Sequence, residues 1–183
     1  MQNYLAAFSA TEGLVPDEIC RSVAESFPGV EHRLEQVREL GGVLFINDSI
    51  ASSPTRTAAG LRALKRKPVI IVGGYDKHIA FDGLGDDLCR YARRVFITGA
   101  TAEKIRAAIE GSALYPESGL HYEMIDGFDA AVRAAAASAE SGDIVLLSPA
   151  CASFDAFPNF AARGDHFKKL VMELKDEDIG HQT

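Results

Sequence analysis

The stretch Leu147-Ser148-Pro149-Ala150-Cys151-Ala152-Ser153-Phe154-Asp155 carries the strongest chemical signal in the chain. It follows a short apolar run, Asp143-Ile-Val-Leu-Leu147, and precedes an amphipathic helical pattern. Open α/β sheets place ligands where a buried strand empties into small hydroxyl residues ahead of a helix. The N–H groups of such a helix start favour an anion. Two other apolar runs end in the same way. Val43–Asn47 continues into Asp48-Ser49 and then Ala51-Ser52-Ser53, and Val69–Val72 into Gly73-Gly74-Tyr75-Asp76-Lys77-His78. In a parallel sheet these three ends share one edge and can converge on one ligand. The residue types suit a nucleotide and an acidic small molecule. Asp48 can accept from ribose hydroxyls, and Lys77 offers a point charge to a carboxylate. Ser52 and Ser153 can hydrogen-bond carboxylate oxygens, and the glycine pair permits a tight turn with close backbone approach. Taken singly, Asp48 reads as a turn cap, Lys77 as a surface lysine, Ser153 as a helix cap and Arg33 as an edge-strand residue. The case rests on their occurring together at successive strand ends.

The elements that must hold these residues follow from periodicity. Five apolar runs recur: Val43–Asn47, Val69–Val72, Val95–Thr98, Tyr122–Ile125 and Ile144–Leu147. Helical patterns separate them. Ser53-Pro54 offers an N-cap and an N1 proline before Ala58, Leu61 and Leu64. Further helices span Ala102–Ile109 and Phe128–Ala139, and a last one starts near Asn159 with Phe167, Leu170, Val171 and Leu174 on one side. Alternation of near-continuous apolar strands with helices predicts an α/β fold: a Rossmann-like, mostly parallel sheet of about six strands with helices on both faces. Arg33–Arg38 alternates and joins Val43 through Gly41-Gly42, which predicts an antiparallel edge hairpin. Residues 1–28 hold two helical segments, Asn3–Ala10 and Pro16–Ala24, without a strand, and residues 175–183 show no apolar face and are expected to fray.

Composition narrows the function class. With 47% hydrophobic and 25% charged residues the 183-residue chain is an ordinary globular mixture. The net charge of −7 and the lack of a long Lys/Arg block argue against a nucleic-acid role. No apolar run approaches the ~20 residues needed to span a bilayer. The three cysteines, Cys20, Cys89 and Cys151, are far apart, so neither a disulfide framework nor a CxxC site is indicated and a reducing, cytoplasmic setting fits. Cys151 reads as a small packing residue, not a nucleophile. The histidines show no HxxxH or HExxH spacing, so no metal is expected. Neither GxGxxG after a strand nor GxxxxGK followed by Ser or Thr is present, which disfavours a dinucleotide enzyme and a self-sufficient P-loop enzyme.

Four blocks in order resemble the C-terminal part of a Mur ligase. They are Phe27–Glu35 with His32-Arg33, Asn47–Thr57, Gly73–Lys77, and Ser148–Phe160 with Arg163-Gly164. The resemblance runs from about residue 3 to residue 174 and is closest to the members that add D-glutamate to UDP-N-acetylmuramoyl-L-alanine. It implies an ATP- and Mg²⁺-dependent, ADP-forming ligase of bacterial peptidoglycan synthesis. Residues 1–28 would be the end of the preceding ATPase domain and residues 29–174 the C-terminal domain. Carried over by motif position, Asn3, Arg33 and Asp48 would contact the nucleotide, Lys77 and Ser52 the α-carboxylate of D-glutamate, and Ser153 and Phe160 its side-chain carboxylate. Ile50 stands where some relatives carry lysine, and Ser52 replaces a threonine while keeping the hydroxyl. The P-loop lysine and metal-binding residues of the family have no counterpart in the sequence, so no catalytic residue is assigned and the chain alone is expected to be inactive. Neither a membrane, a nucleic acid nor an oligomer is implied. The other reading is a self-standing module that senses an acidic amino acid or a nucleotide.

Overall fold

The computed structural model describes residues 2–180. They divide into two compact units, the first ending at Val30 and the second beginning at Glu31, two residues beyond the boundary expected from the sequence. The first unit holds α1 (Gln2–Thr11) and α2 (Asp17–Ser26). The N–H of Leu14 returns to the carbonyl of Thr11 at 2.9 Å to close the turn between them. Ile19 and Val23 of α2 stay exposed, and no residue of that helix is buried.

In the second unit the six strands are β1 (Glu35–Leu40), β2 (Val43–Asn47), β3 (Val69–Gly73), β4 (Arg94–Thr98), β5 (His121–Met124) and β6 (Ile144–Leu147). Their spatial order is β1-β2-β6-β3-β4-β5. Only the β1–β2 pair is antiparallel, so the edge hairpin and the parallel remainder both match the sequence reading. The helices are α3 (Pro54–Ala63), α4 (Asp82–Tyr91), α5 (Ala102–Glu110), α6 (Tyr115–Ser118), α7 (Phe128–Ala137) and α8 (Phe160–Glu173).

Successive strand residues point to opposite faces, and the two cores divide accordingly. Phe45, Val69, Ile71, Phe96, Val145 and Leu147 pack with Ala131, Val132 and Ala135 of α7 and Phe167 and Val171 of α8. Ile46, Ile70, Val72, Val95, Ile97 and Leu146 pack on the other face with Leu61 of α3, Leu84 and Leu88 of α4 and Ile105 and Ile109 of α5. Helix α4 is absent from the sequence reading because Gly83 and Gly85 mask its pattern. Gly85 is needed there, since a β-carbon would meet the carbonyl of Ala108 at 1.9 Å where α4 crosses α5. The tail departs from expectation. Asp176–Asp178 forms a 3₁₀ turn, and Ile179 packs against the core beneath Gly41, so the chain does not fray there. A lone isoleucine seated on a glycine leaves no periodic trace, and Thr183, at the end of the expected tail, lies outside the described residues.

The order of strands places the site. The chain leaves β2 for α3 on one face, leaves β3 for α4 on the same face, and leaves β6 for α8 on the other. Since β6 lies between β2 and β3, crevices open on both sides of its C-terminal end, where such sheets bind ligands.

Candidate functional site

The crevice on the β2 side is a cavity of about 320 Å³ lined by Arg33, Leu34, Asp48, Ile50, Arg56 and Gly60, among others. It brings together Arg33 and Asp48, both expected at a nucleotide. Asp48 is 4% exposed, and its carboxylate is already engaged within the domain. Its Oδ1 accepts from the Leu34 N–H at 3.3 Å and its Oδ2 from the Ser148 hydroxyl at 2.8 Å. The Thr57 hydroxyl donates to the Ser148 carbonyl at 3.1 Å. Burial pushes the Asp48 carboxyl up to about 6, against the opposing effect of the Ser148 and Leu34 hydrogen bonds and the nearby charge of Arg33. Ser148, at the end of β6, is thus a partner of Asp48.

The crevice on the β3 side is built by two loops that pair. The Tyr75 N–H donates to the Ala152 carbonyl at 2.9 Å, and the Gly73 N–H to the Pro149 carbonyl at 2.8 Å. Gly74, at φ +145°, has no room for a β-carbon, which would lie 2.4 Å from the Ala152 oxygen. Ala150 is fully buried at φ +60°, a conformation that costs a non-glycine residue about 1–2 kcal/mol. Lys77 is exposed beyond β3, with its Nζ 5.7 Å from the centre of the Phe154 ring. Phe154 meets Tyr75 edge-on at 5.9 Å. Ser153, next to Phe154, is 2% exposed; its carbonyl accepts from the Phe157 N–H at 2.7 Å, and its hydroxyl makes no hydrogen bond among the described residues. Lys77 thus stands over one member of an aromatic pair, Phe154, whose chain neighbour is Ser153.

Ser52 is half-buried at the entry to α3, and no hydrogen bond joins it to Lys77 or Ser153 among the described residues. Phe160 opens α8; its ring meets His32 edge-on at 6.0 Å and its carbonyl accepts from the Ser49 hydroxyl at 2.7 Å. The side chain of Asn3 lies outside the described residues.

The residue that joins the two crevices is one the sequence reading left without a role. Arg163 of α8 is 2% exposed. Its Nε donates to the Ser49 hydroxyl at 3.0 Å and its Nη2 to the Ser49 carbonyl at 2.9 Å. Its Nη2 and Nη1 donate to the carbonyls of Cys151 and Ala152, each at 3.1 Å. The guanidinium thus clamps the loop after β2 to the loop after β6, using its planar fork. No ion pair neutralises it among the described residues, and burial pulls it down to about 10. Its signals in sequence were its place on the apolar side of the last helical pattern and its membership, with Gly164, of the fourth resembling block. Cys151 beneath it behaves as a packing group. Burial pushes its thiol up to about 11, with the Thr101 hydroxyl at 3.1 Å from Sγ. One set of metal-ligand types, Glu31, His32 and Asp165, gathers within 4.8 Å, but the Lys168 ammonium lies 3.1 Å from Asp165 and also pairs with Glu31. A bound cation there is redundant.

Residues 32–151 match the family model described as the glutamate ligase domain of Mur ligases. The chain belongs to the Mur ligase family. Among its relatives, the UDP-N-acetylmuramoylalanine–D-glutamate ligase of Clostridium beijerinckii is 50% identical over 176 residues, 95% of this chain and 38% of that protein. The enzyme of the same name from Acetivibrio thermocellus is 44% identical over 177 residues, again 38% of its length. The chain therefore spans 38% of the length of these curated relatives. The Mur ligase fold also appears in solved structures of low identity. Escherichia coli FolC in complex with ADP superposes with a TM-score of 0.57 at 22% identity, covering 92% of this chain and 38% of that one. A murein peptide ligase from Psychrobacter arcticus gives 0.57 at 16% identity, covering 94% and 36%.

Proposed function

We propose that this chain is the acceptor- and nucleotide-contacting domain of an ATP-dependent ligase that joins D-glutamate to UDP-N-acetylmuramoyl-L-alanine in the cytoplasm of a bacterium. The observation that carries this reading is the 50% identity across 95% of the chain to a ligase named for D-glutamate. Two features support it: Arg33 and Asp48 line one pocket, and beyond β6 lie exposed Lys77 and a Ser153 hydroxyl that makes no hydrogen bond among the described residues.

In this reading ATP donates its terminal phosphate to the alanine carboxylate, and the amine of D-glutamate then attacks the acyl phosphate and expels inorganic phosphate. Such chemistry is mainly positioning and electrostatics. Asp48 and Arg33 take the adenosine. Lys77 and Ser52 take the α-carboxylate of D-glutamate, and Ser153 with the start of α8 at Phe160 takes the side-chain carboxylate. Residues 1–28 belong to the preceding ATPase domain. The groups that hold Mg²⁺ and move the phosphoryl group are assigned to that domain, which must close on this one for turnover.

Titrating the isotope-labelled chain with D-glutamate, L-glutamate and ADP by NMR tests the reading. The expected result is weak binding, with D-glutamate shifting Lys77, Ser153 and Phe160 more than L-glutamate and ADP shifting Arg33 and Asp48. Equal response to both enantiomers overturns the acceptor assignment. Phosphate release by the chain alone in the presence of ATP and both substrates overturns the assignment of catalysis to another domain.

A further inference from the structure

Arg56 lines the same cavity as Arg33 and Asp48, yet neither the sequence motifs nor the relatives' names give it a role. It lies in the first turn of α3 and is exposed. Its Nη1 donates to the Ile50 carbonyl at 3.3 Å, which holds the guanidinium over the loop after β2. Among the described residues it forms no ion pair, unlike its helix neighbour Arg62, which pairs with Asp87 at 2.6 Å.

The two arginines of the cavity differ in what they face. Arg33 lies close enough to Asp48 to draw its carboxyl down, so part of its field is spent on that group. Arg56 rests on a neutral carbonyl and keeps its charge for a guest. The depth of the groups sets the guest's direction. The Asp48 carboxylate is nearly fully buried at the base, while Arg56 is at the open rim. An anionic group is repelled from the base and drawn to the rim, whereas hydroxyls can approach Asp48 as donors. Leu34, Ile50, Ala51 and Ala59 supply an apolar wall between the two.

We propose that Arg56 is a second cation of the nucleotide pocket and meets the phosphate chain of the bound nucleotide, with the nucleoside directed inward toward Asp48. This rests on the nucleotide reading of the cavity. The test is calorimetric or NMR titration of the chain with ADP and with adenosine at low ionic strength, for the unmodified protein, Arg56→Ala, and Arg133→Ala. Arg133 is exposed on α7, against the other face of the sheet, and its removal changes net charge equally. Losing an exposed charge-assisted contact should weaken ADP binding by about five- to tenfold in Arg56→Ala. Adenosine affinity should change by less than about twofold, and Arg133→Ala should behave as the unmodified chain. Equal ADP affinity in Arg56→Ala and the unmodified chain overturns the proposal, as does an equal loss for ADP and adenosine. Absence of ADP binding to the unmodified chain overturns the nucleotide reading itself, and this proposal with it.

Discussion

Arg163 sets up a prediction in which the conservative substitution is the worse one. The guanidinium serves the carbonyls of Ser49, Cys151 and Ala152 and the Ser49 hydroxyl. The Ala152 carbonyl also accepts from the Tyr75 N–H, so removing Arg163 orphans chiefly the carbonyls of Ser49 and Cys151. Each costs about 1–3 kcal/mol when buried and unpaired, roughly 4 kcal/mol for the two. Against this stands the cost of burying a cation. The pull of Arg163 from its ordinary value down to about 10 corresponds to roughly 3 kcal/mol. Arg163→Met loses the bonds but is relieved of that cost, for a net change of about 1 kcal/mol. Arg163→Lys keeps a buried charge and, lacking the planar fork, cannot reach acceptors on two loops at once, so it loses about 3–4 kcal/mol. At about 2–4 °C per kcal/mol for a chain of this size, the Met variant should melt a few degrees below the unmodified protein and the Lys variant about 10 °C below it. Thermal melts followed by circular dichroism read the order directly. A Lys variant that melts at or above the Met variant refutes the argument that geometry outweighs charge at this position. Both variants should also lose the D-glutamate-induced shifts at Ser153, because the loop that carries it is no longer tied to α8.

The Asp48 carboxyl titrates near 6 in the fold against 3.8 ordinarily, so folding takes up a proton and stability falls by about 3 kcal/mol as pH rises through that interval. In urea melts across pH, Asp48→Asn should flatten this fall relative to the unmodified chain, and an unchanged slope contradicts the buried-carboxyl account. Gly74→Ala would place a β-carbon 2.4 Å from the Ala152 carbonyl, and it should cost at least about 2–3 kcal/mol by urea melt with loss of the Tyr75–Ala152 pairing in amide exchange. A thiol reagent at mild alkaline pH should modify half-buried Cys20 in the native chain and leave buried Cys89 and Cys151 intact until denaturant is added; rapid native labelling of Cys151 would contradict its raised thiol pKa.

What could be read from the sequence divides by the range of the interaction. The five apolar runs and the Gly41-Gly42 hairpin are local patterns, and each appears as a strand where the pattern placed it. Helix α4 was lost because Gly85 answers to a carbonyl on α5, a neighbour that periodicity within Asp82–Tyr91 cannot reveal. Lys77, Ser153, Arg33 and Asp48 could be nominated as candidates because each lies within a few residues of a strand end. The roles of Ser148 and Arg163 were not legible. Ser148 meets Asp48 across 100 residues of chain, and Arg163 meets Ser49 across 114. Interior partners so distant leave only an isolated polar residue in the sequence, whose default reading is a cap or a surface group.

The two buried charges give the two sides of one sheet edge different electrostatic character. Asp48 and Arg163 flank the same loop, yet among the described residues they form no ion pair; each is satisfied by neutral dipoles. Had they met, their fields would have cancelled and the edge would present little charge to either crevice. Held apart, the carboxylate makes the β2-side cavity a place for hydroxyl donors, and the guanidinium keeps the β3-side crevice favourable to an anion with Lys77 at its mouth. On the proposed reading, sugar hydroxyls and a dicarboxylic amino acid are thereby directed to different sides of β6. The clamp of Arg163 on both loops ties them together, so the groups on the two sides of β6 are held as one body. Reversing the sign at either position should therefore disturb binding at both crevices, where a merely local charge effect would disturb only one.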